Sequence, residues 1–172
     1  MKHNEYESLI GSYNDFPNEG ILFRDVSPIF GNPKVFKKLI NEMSDDVIIK
    51  NADAILAIDA RGFIFGSAIG FNTSKPIVIA RKPGKLPGEI LTNEYELEYG
   101  KSTLSIQKNA IKDFDSFAIV DDLLATGGTV ECIKNLLFSM NKKIVGLSVV
   151  IELSELNGRA KLPFKVNSQI VF

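Results

Sequence analysis

With 172 residues, 45% of them hydrophobic and 24% charged, the chain is of a size to bury one core, and a single domain over residues 1–172 is expected. A formal charge of -1 and an isoelectric point near 5.9 supply no basic stripe for a nucleic-acid backbone, which excludes DNA and RNA as expected partners. The opening MKHNEYESLIGSYNDF lacks a signal peptide's apolar stretch, and no run approaches the roughly 18 apolar residues of a membrane span; a soluble, unexported, cytoplasmic protein without a membrane partner is expected.

In chain order, Tyr6, Leu9, Ile10 and Tyr13 fall at helical spacing after Asn4 and predict a first helix. Asn32 as cap and Pro33 in the first turn open a second, with Phe36, Leu39, Ile40 and Met43 as its apolar face. Short apolar runs at Ala54 to Ile58, Ile77 to Ala80, Phe117 to Val120 and Ile144 to Ile151 read as buried strands. Helical segments separate several of them. This alternation predicts an α/β fold, a mostly parallel central sheet flanked by helices, with ligands at the carboxyl ends of the strands.

Arg81 to Gly100 breaks the alternation, being rich in Gly, Pro and charge, and Ser102, Leu104 and Ile106 then follow a two-residue period. A long mobile loop bounded by strands is expected, either a lid or a disordered segment. The lone Cys132 sits in a helical pattern beside Ile133 and Leu136 and reads as a structural apolar residue that makes no internal disulfide; His3 is given no role. The apolar tail Gln169 to Phe172 must pair within the domain or with a second subunit.

The segment FAIVDDLLATGGT, Phe117 to Thr129, joins a buried strand, two acids and a Gly-containing turn that opens a helix. Backbone amides of Ala125, Thr126, Gly127, Gly128 and Thr129 can converge on a phosphate at the helix N-terminus, where unpaired N–H groups and the dipole favour an anion. Thr126 and Thr129 add hydroxyl donors, and Asp121 and Asp122 can accept hydrogen bonds from vicinal ribose hydroxyls. The combination reads as a ribose phosphate site; the competing reading is a plain turn after a solvated strand end. Neither GxxxxGK[ST] nor GxGxxG spacing occurs, which sets aside a Walker A loop and a dinucleotide fingerprint.

VDDLLATGGT resembles the motif that binds phosphoribosyl pyrophosphate (PRPP) in the type I phosphoribosyltransferases, in the form seen in the adenine phosphoribosyltransferase family. DFPNEGILFRDVSPIF (Asp15 to Phe30), DARGFIFG (Asp59 to Gly66), RKPGKLPGE (Arg81 to Glu89) and YELEYG (Tyr95 to Gly100) resemble that family's segments in its order and spacing. The likeness spans nearly the whole chain. It implies the type I fold with a small hood and a flexible loop, and transfer of the ribose 5-phosphate of PRPP to adenine, giving AMP and pyrophosphate in purine salvage.

By this resemblance Asp121 and Asp122 hold the ribose hydroxyls and Ala125, Thr126, Gly127, Gly128 and Thr129 the 5-phosphate. Arg61, in the Asp59 to Gly62 turn, meets the pyrophosphate, with a cis peptide expected between Asp59 and Ala60. Arg81 and Lys85 are further substrate contacts. The base is covered by Leu22 through its backbone, a stacking Phe23 and an ordering Arg24, with Leu123 on the other face. Glu98 takes or relays the adenine ring proton, and Tyr99 helps to exclude water. Mg2+ is implied, bound mainly through PRPP and pyrophosphate with no dedicated protein ligands, and so is a homodimer.

Without the resemblance, residues 59–62 are a turn and the Arg81 to Lys85 run a solvated basic loop. Ile21 to Phe23 is then an apolar edge strand, and Tyr95, Leu97 and Tyr99 an alternating strand. A phosphoribosyltransferase for hypoxanthine, guanine or xanthine would differ in the hood. A non-catalytic PRPP-sensing regulator would need a DNA-binding appendage, which the residues before the first core strand, already holding FPNEGILFRD, are not expected to provide.

Overall fold

The computed structural model describes residues 5–96 and 101–172. After a 3-10 turn at Glu7–Leu9 come β1 (Gly11–Tyr13), β2 (Phe23–Asp25), α1 (Ser27–Phe30), α2 (Pro33–Asp45), α3 (Val47–Lys50), β3 (Ala54–Ile58), α4 (Gly62–Thr73) and β4 (Ile77–Ala80). The chain continues through β5 (Ile90–Glu96), β6 (Lys101–Gln107), α5 (Lys108–Ile111), β7 (Ser116–Leu124), α6 (Gly128–Ser139), β8 (Lys143–Glu152) and β9 (Lys165–Val171).

Among the described residues, β4, β3, β7, β8 and β9 form one parallel sheet in that order. The apolar runs are continuous because both faces of the sheet are covered. Leu56, Ile58, Phe117, Ile119, Leu147 and Val149 point to one side and pack with Ile133, Leu136 and Leu137 of α6. Ile55, Ala118, Val120 and Val150 point to the other, against Leu39 and Met43 of α2 and Phe65 and Ile69 of α4. From β3 the chain steps to β4 on one side, while β7 takes the other. The connections therefore diverge at the carboxyl ends of β3 and β7, where a crevice opens in such sheets.

Much of this follows the expected pattern. The β3 and β4 bounds coincide with their apolar runs, β7 and β8 enclose theirs, and α2 starts with the Asn32 side chain accepting from the Val35 amide at 3.2 Å. The tail pairs within the chain, β9 lying parallel to β8. Cys132 is buried in α6, its Sγ 3.3 Å from the Asn93 carbonyl oxygen, and burial raises its thiol pKa. Among the described residues no helix is long and apolar enough to cross a membrane.

Three expectations need correction. The first helix is absent: Tyr6 and its neighbours make a single 3-10 turn, and Gly11–Tyr13 pairs antiparallel with Phe23–Asp25 instead. Burying Tyr6, whose hydroxyl donates to Glu42 at 2.5 Å, needs only one turn, and Tyr13 is left 56% exposed. The strand expected to end in Asp121 and Asp122 runs on through Leu123 and Leu124, because pairing with β8 continues to Leu124. The expected loop from Arg81 is shorter, since Ile90–Glu96 pairs with Lys101–Gln107 in an antiparallel ribbon. Thr92 and Ser105 bond across it at 2.9 Å, which confines the Gly- and Pro-rich stretch to residues 82–89.

Candidate active site

Two loops meet at the crevice. The first, after β3, runs from Asp59 to the start of α4, and its Asp59–Ala60 peptide bond is cis, as expected. Asp59 Oδ2 accepts from Arg81 Nε at 3.0 Å, so the arginine at the end of β4 ties down this turn. Arg61 reaches across the strand boundary and donates from Nε to Asp122 Oδ2 at 2.5 Å. The second loop, residues 125–127, leaves β7 and opens α6. Gly127 caps that helix with φ +83°, a left-handed backbone that would strain any side chain. The first-turn amides of α6 therefore face the crevice without intrahelical acceptors, and the helix dipole adds to their pull on an anion.

Asp121 and Asp122 are 8% and 7% exposed. Burial, and then the neighbouring Asp122 charge, hold the Asp121 carboxyl well above the usual carboxylate range; Arg61 opposes this weakly. Two adjacent buried acids, with Arg61 bonded to Asp122, form a site suited to further positive charge or to hydroxyl donors.

A cavity of about 230 Å³ is lined by Asp59, Ala60, Arg61, Lys82, Asp121, Asp122 and Thr129. A second, of about 210 Å³, is lined by Arg61, Asp122, Leu123 and residues 124–130, so the two share their central walls. Above them stands the β1–β2 ribbon. Phe16 and Phe23 pack edge to face with centroids 5.1 Å apart, and the Arg61 guanidinium lies 5.3 Å from the Phe23 centroid. Arg24 donates to Ser12 Oγ at 2.6 Å and stacks on Phe172 at 3.9 Å. Leu22 is 44% exposed beside them.

Of the residues singled out from the sequence, Arg61, Asp121, Asp122, Leu123 and residues 125–129 are brought together, with Phe23 at their edge. Arg81 is present through Asp59. Lys85 is exposed on the 82–89 stretch and lines neither cavity. Glu98 and Tyr99 lie outside the described residues. Lys82 lines the first cavity and was not singled out. The sequence holds no signal that separates it from Lys85; the distinction comes from the structure, where Arg81 pairs with Ser105 in an isolated bridge.

The chain matches the phosphoribosyl transferase domain family over residues 29–169. It is 58% identical over 169 residues to the adenine phosphoribosyltransferase of Prochlorococcus marinus strain MIT 9515, covering 98% of this chain and 99% of that one. Against the adenine phosphoribosyltransferase of Mycoplasmopsis pulmonis it is 46% identical over 155 residues, 90% of each chain. The crystal structure of adenine phosphoribosyltransferase from Thermoanaerobacter pseudethanolicus superposes with a TM-score of 0.91 at 38% identity, over 98% of both chains. That of the Saccharomyces cerevisiae adenine phosphoribosyltransferase, complexed with an imino-altritol bisphosphate and adenine, gives 0.88 at 38% identity, over 96% of this chain and 97% of that one.

Proposed function

The chain belongs to the phosphoribosyltransferase family, and from that premise we infer that it is an adenine phosphoribosyltransferase, moving the ribose 5-phosphate of PRPP to adenine with release of pyrophosphate. The observation that carries the chemistry is the meeting, in one crevice, of two buried acids, an anion-binding helix start and an arginine from a separate loop. Adenine as the base rests on relatives of that name matched over their full length. The product AMP places the reaction in purine salvage.

Breaking the bond to pyrophosphate leaves positive charge on the ribose ring and negative charge on the leaving group, so the site must stabilise both. Asp121 and Asp122 accept from the ribose hydroxyls and stand near the positive ring. Residues 125–129 hold the 5-phosphate through backbone amides and the Thr126 and Thr129 hydroxyls. Arg61 keeps Nε on Asp122 and offers its terminal nitrogens to pyrophosphate. Arg81, Lys82 and Lys85 supply further positive charge to that product, Arg81 by fixing Asp59.

The donor set fits Mg2+: two adjacent carboxylates suit a hard cation that takes most of its oxygens from substrate and water. Bound with PRPP, Mg2+ supplies neutralisation of the pyrophosphate charge. The base slides between Phe23 and Leu123, with the Leu22 backbone reading its exocyclic amine and Arg24 holding the hood in place.

Glu98 is assigned the adenine ring proton and Tyr99 the exclusion of water. Glu98→Gln is expected to slow single turnover about a hundredfold or more, the usual worth of acid-base help, whereas a change within a factor of about two would remove it from that role.

A homodimer of single-domain subunits in the cytoplasm completes the proposal. Its support is α4, where Ile64 and Phe71, seven residues apart on one face, are 43% and 91% exposed. Sedimentation at working concentration is expected to give a dimer that Phe71→Glu weakens; a monomeric wild type would contradict it.

A further inference from the structure

Glycine-rich anion loops are floppy by composition, and a loop whose amides must converge on a phosphate has to be held by something outside itself. Here the outside contact is the turn after β8, in the segment carrying Asn157, Gly158 and Arg159. A Cβ built on Gly158 would stand 2.1 Å from the Ala125 carbonyl oxygen and 3.0 Å from the Gly127 amide nitrogen. Reciprocally, a Cβ on Gly127 would meet the Gly158 carbonyl oxygen at 3.0 Å. The two backbones are in contact with no room for a methyl group. Asn157, just before Gly158, takes φ 52°, a left-handed turn conformation.

The turn is itself locked to the sheet. Arg159 donates from Nε to Glu152 Oε1 at 2.8 Å and from Nη2 to Glu152 Oε2, and from Nη1 to the Val166 carbonyl oxygen at 2.7 Å. Ser168 Oγ donates to Glu152 Oε2 at 2.6 Å and accepts from Arg159 Nη2 at 3.1 Å. Glu152 is 5% exposed at the end of β8, and Val166 and Ser168 are on β9, so one guanidinium ties the turn to both strands. With its fork spent on Glu152, Arg159 is a clamp and not a phosphate ligand.

We propose that Gly158, clamped by Arg159 on Glu152 and Ser168, is the buttress that holds the 125–129 loop in its phosphate-binding shape, making Gly158 and Arg159 positioning residues for the PRPP side of the reaction. The proposal rests on the assignment of that loop to the 5-phosphate. The base is assigned to the β1–β2 ribbon, whereas the contacts just described run to the 125–127 loop and to β8 and β9, so the buttress should govern PRPP and leave adenine recognition alone.

The test measures KM for each substrate and kcat in Gly158→Ala and Arg159→Lys, with calorimetric titration of PRPP and of ribose 5-phosphate into each variant and into wild type. Gly158→Ala is expected to raise KM for PRPP, and the dissociation constant of ribose 5-phosphate, about ten- to a hundredfold, the scale set by sub-ångström misplacement of binding groups, with KM for adenine within about twofold. Arg159→Lys, which keeps the charge but loses the fork, moves the same quantities in the same direction, and decides the matter if Gly158→Ala does not fold. Unchanged PRPP and ribose 5-phosphate binding in a folded variant, or equal losses for PRPP and adenine, overturns the buttress. The functional assignment fails separately, through a wild type that makes no AMP from adenine; the binding comparison of wild type with variants reads out in either case.

Discussion

Asp121→Asn is expected to unfold at a higher temperature than the wild-type chain at pH 7 while catalysing transfer on the order of a hundredfold more slowly. Both effects have one cause. The Asp121 carboxyl is buried beside Asp122, and burial followed by that charge raises its pKa well above the usual range. An acid whose folded-state pKa is raised binds its proton more tightly folded than unfolded. Its site is therefore least costly below the unfolded carboxylate pKa of about 3.9, and stability is lost as pH rises from there towards the folded pKa. The amide carries no such cost, and its carbonyl oxygen can still accept the Asp122 amide proton that Asp121 Oδ1 takes at 2.9 Å. Thermal melts at pH 7 and at pH 4 separate the contributions: the advantage of the Asn variant should be plain at the higher pH and shrink at the lower. No advantage at pH 7 would mean that the paired acids are not held against their electrostatic preference. The activity loss follows because an amide cannot match a carboxylate near a cationic ribose ring.

Arg61→Ala carries the second large effect. The guanidinium is the cation bonded to Asp122 in the crevice and the group assigned to the leaving pyrophosphate, so kcat/KM should fall about 10²- to 10³-fold. Lysine should recover little, since an ammonium cannot hold Asp122 and a phosphate oxygen in one plane. Stability should also fall, by about 1–3 kcal/mol, because Asp122 is 7% exposed and loses the cation bonded to it, while the 39% exposure of the arginine side chain keeps the loss below that of a fully buried pair. Steady-state kinetics and a thermal melt on the same preparation check both parts. A loss of less than about tenfold in kcat/KM would take Arg61 out of the transition state.

Asp121 and its neighbours were legible in the sequence because their signal is local, whereas Arg61 was reached only through the family resemblance. An apolar run ending in two acids, a Thr-Gly-Gly-Thr turn and a helix all lie within Phe117 to Thr129, and each has a physical reason to be adjacent. The β3 and β4 strands were legible for the same reason: a strand buried on both faces needs an unbroken apolar run. What escaped depends on partners far along the chain. Gly11–Tyr13 is a strand only because Phe23–Asp25 pairs with it, and its residues continue an apolar spacing that suits a helix equally well. Ile90–Glu96 looked like loop because its Asn and Glu residues suit an exposed ribbon whose other half lies beyond the Gly at position 100. Lys82 and Lys85 cannot be ranked without knowing which way Arg81 faces. Gly158 is the extreme case: in the sequence it follows Asn157 as an ordinary turn glycine, and only contact with Ala125 and Gly127, some thirty residues earlier, explains why no side chain fits.

The most direct test of the central claim is a transfer assay on the purified chain with PRPP and Mg2+, offering adenine, hypoxanthine, guanine and xanthine separately. Formation of AMP and pyrophosphate from adenine, with no nucleotide from the other bases, is the result predicted. Turnover of another purine in place of adenine would contradict the reading of the hood, and absence of product with every base despite PRPP binding would contradict the assignment of an enzyme.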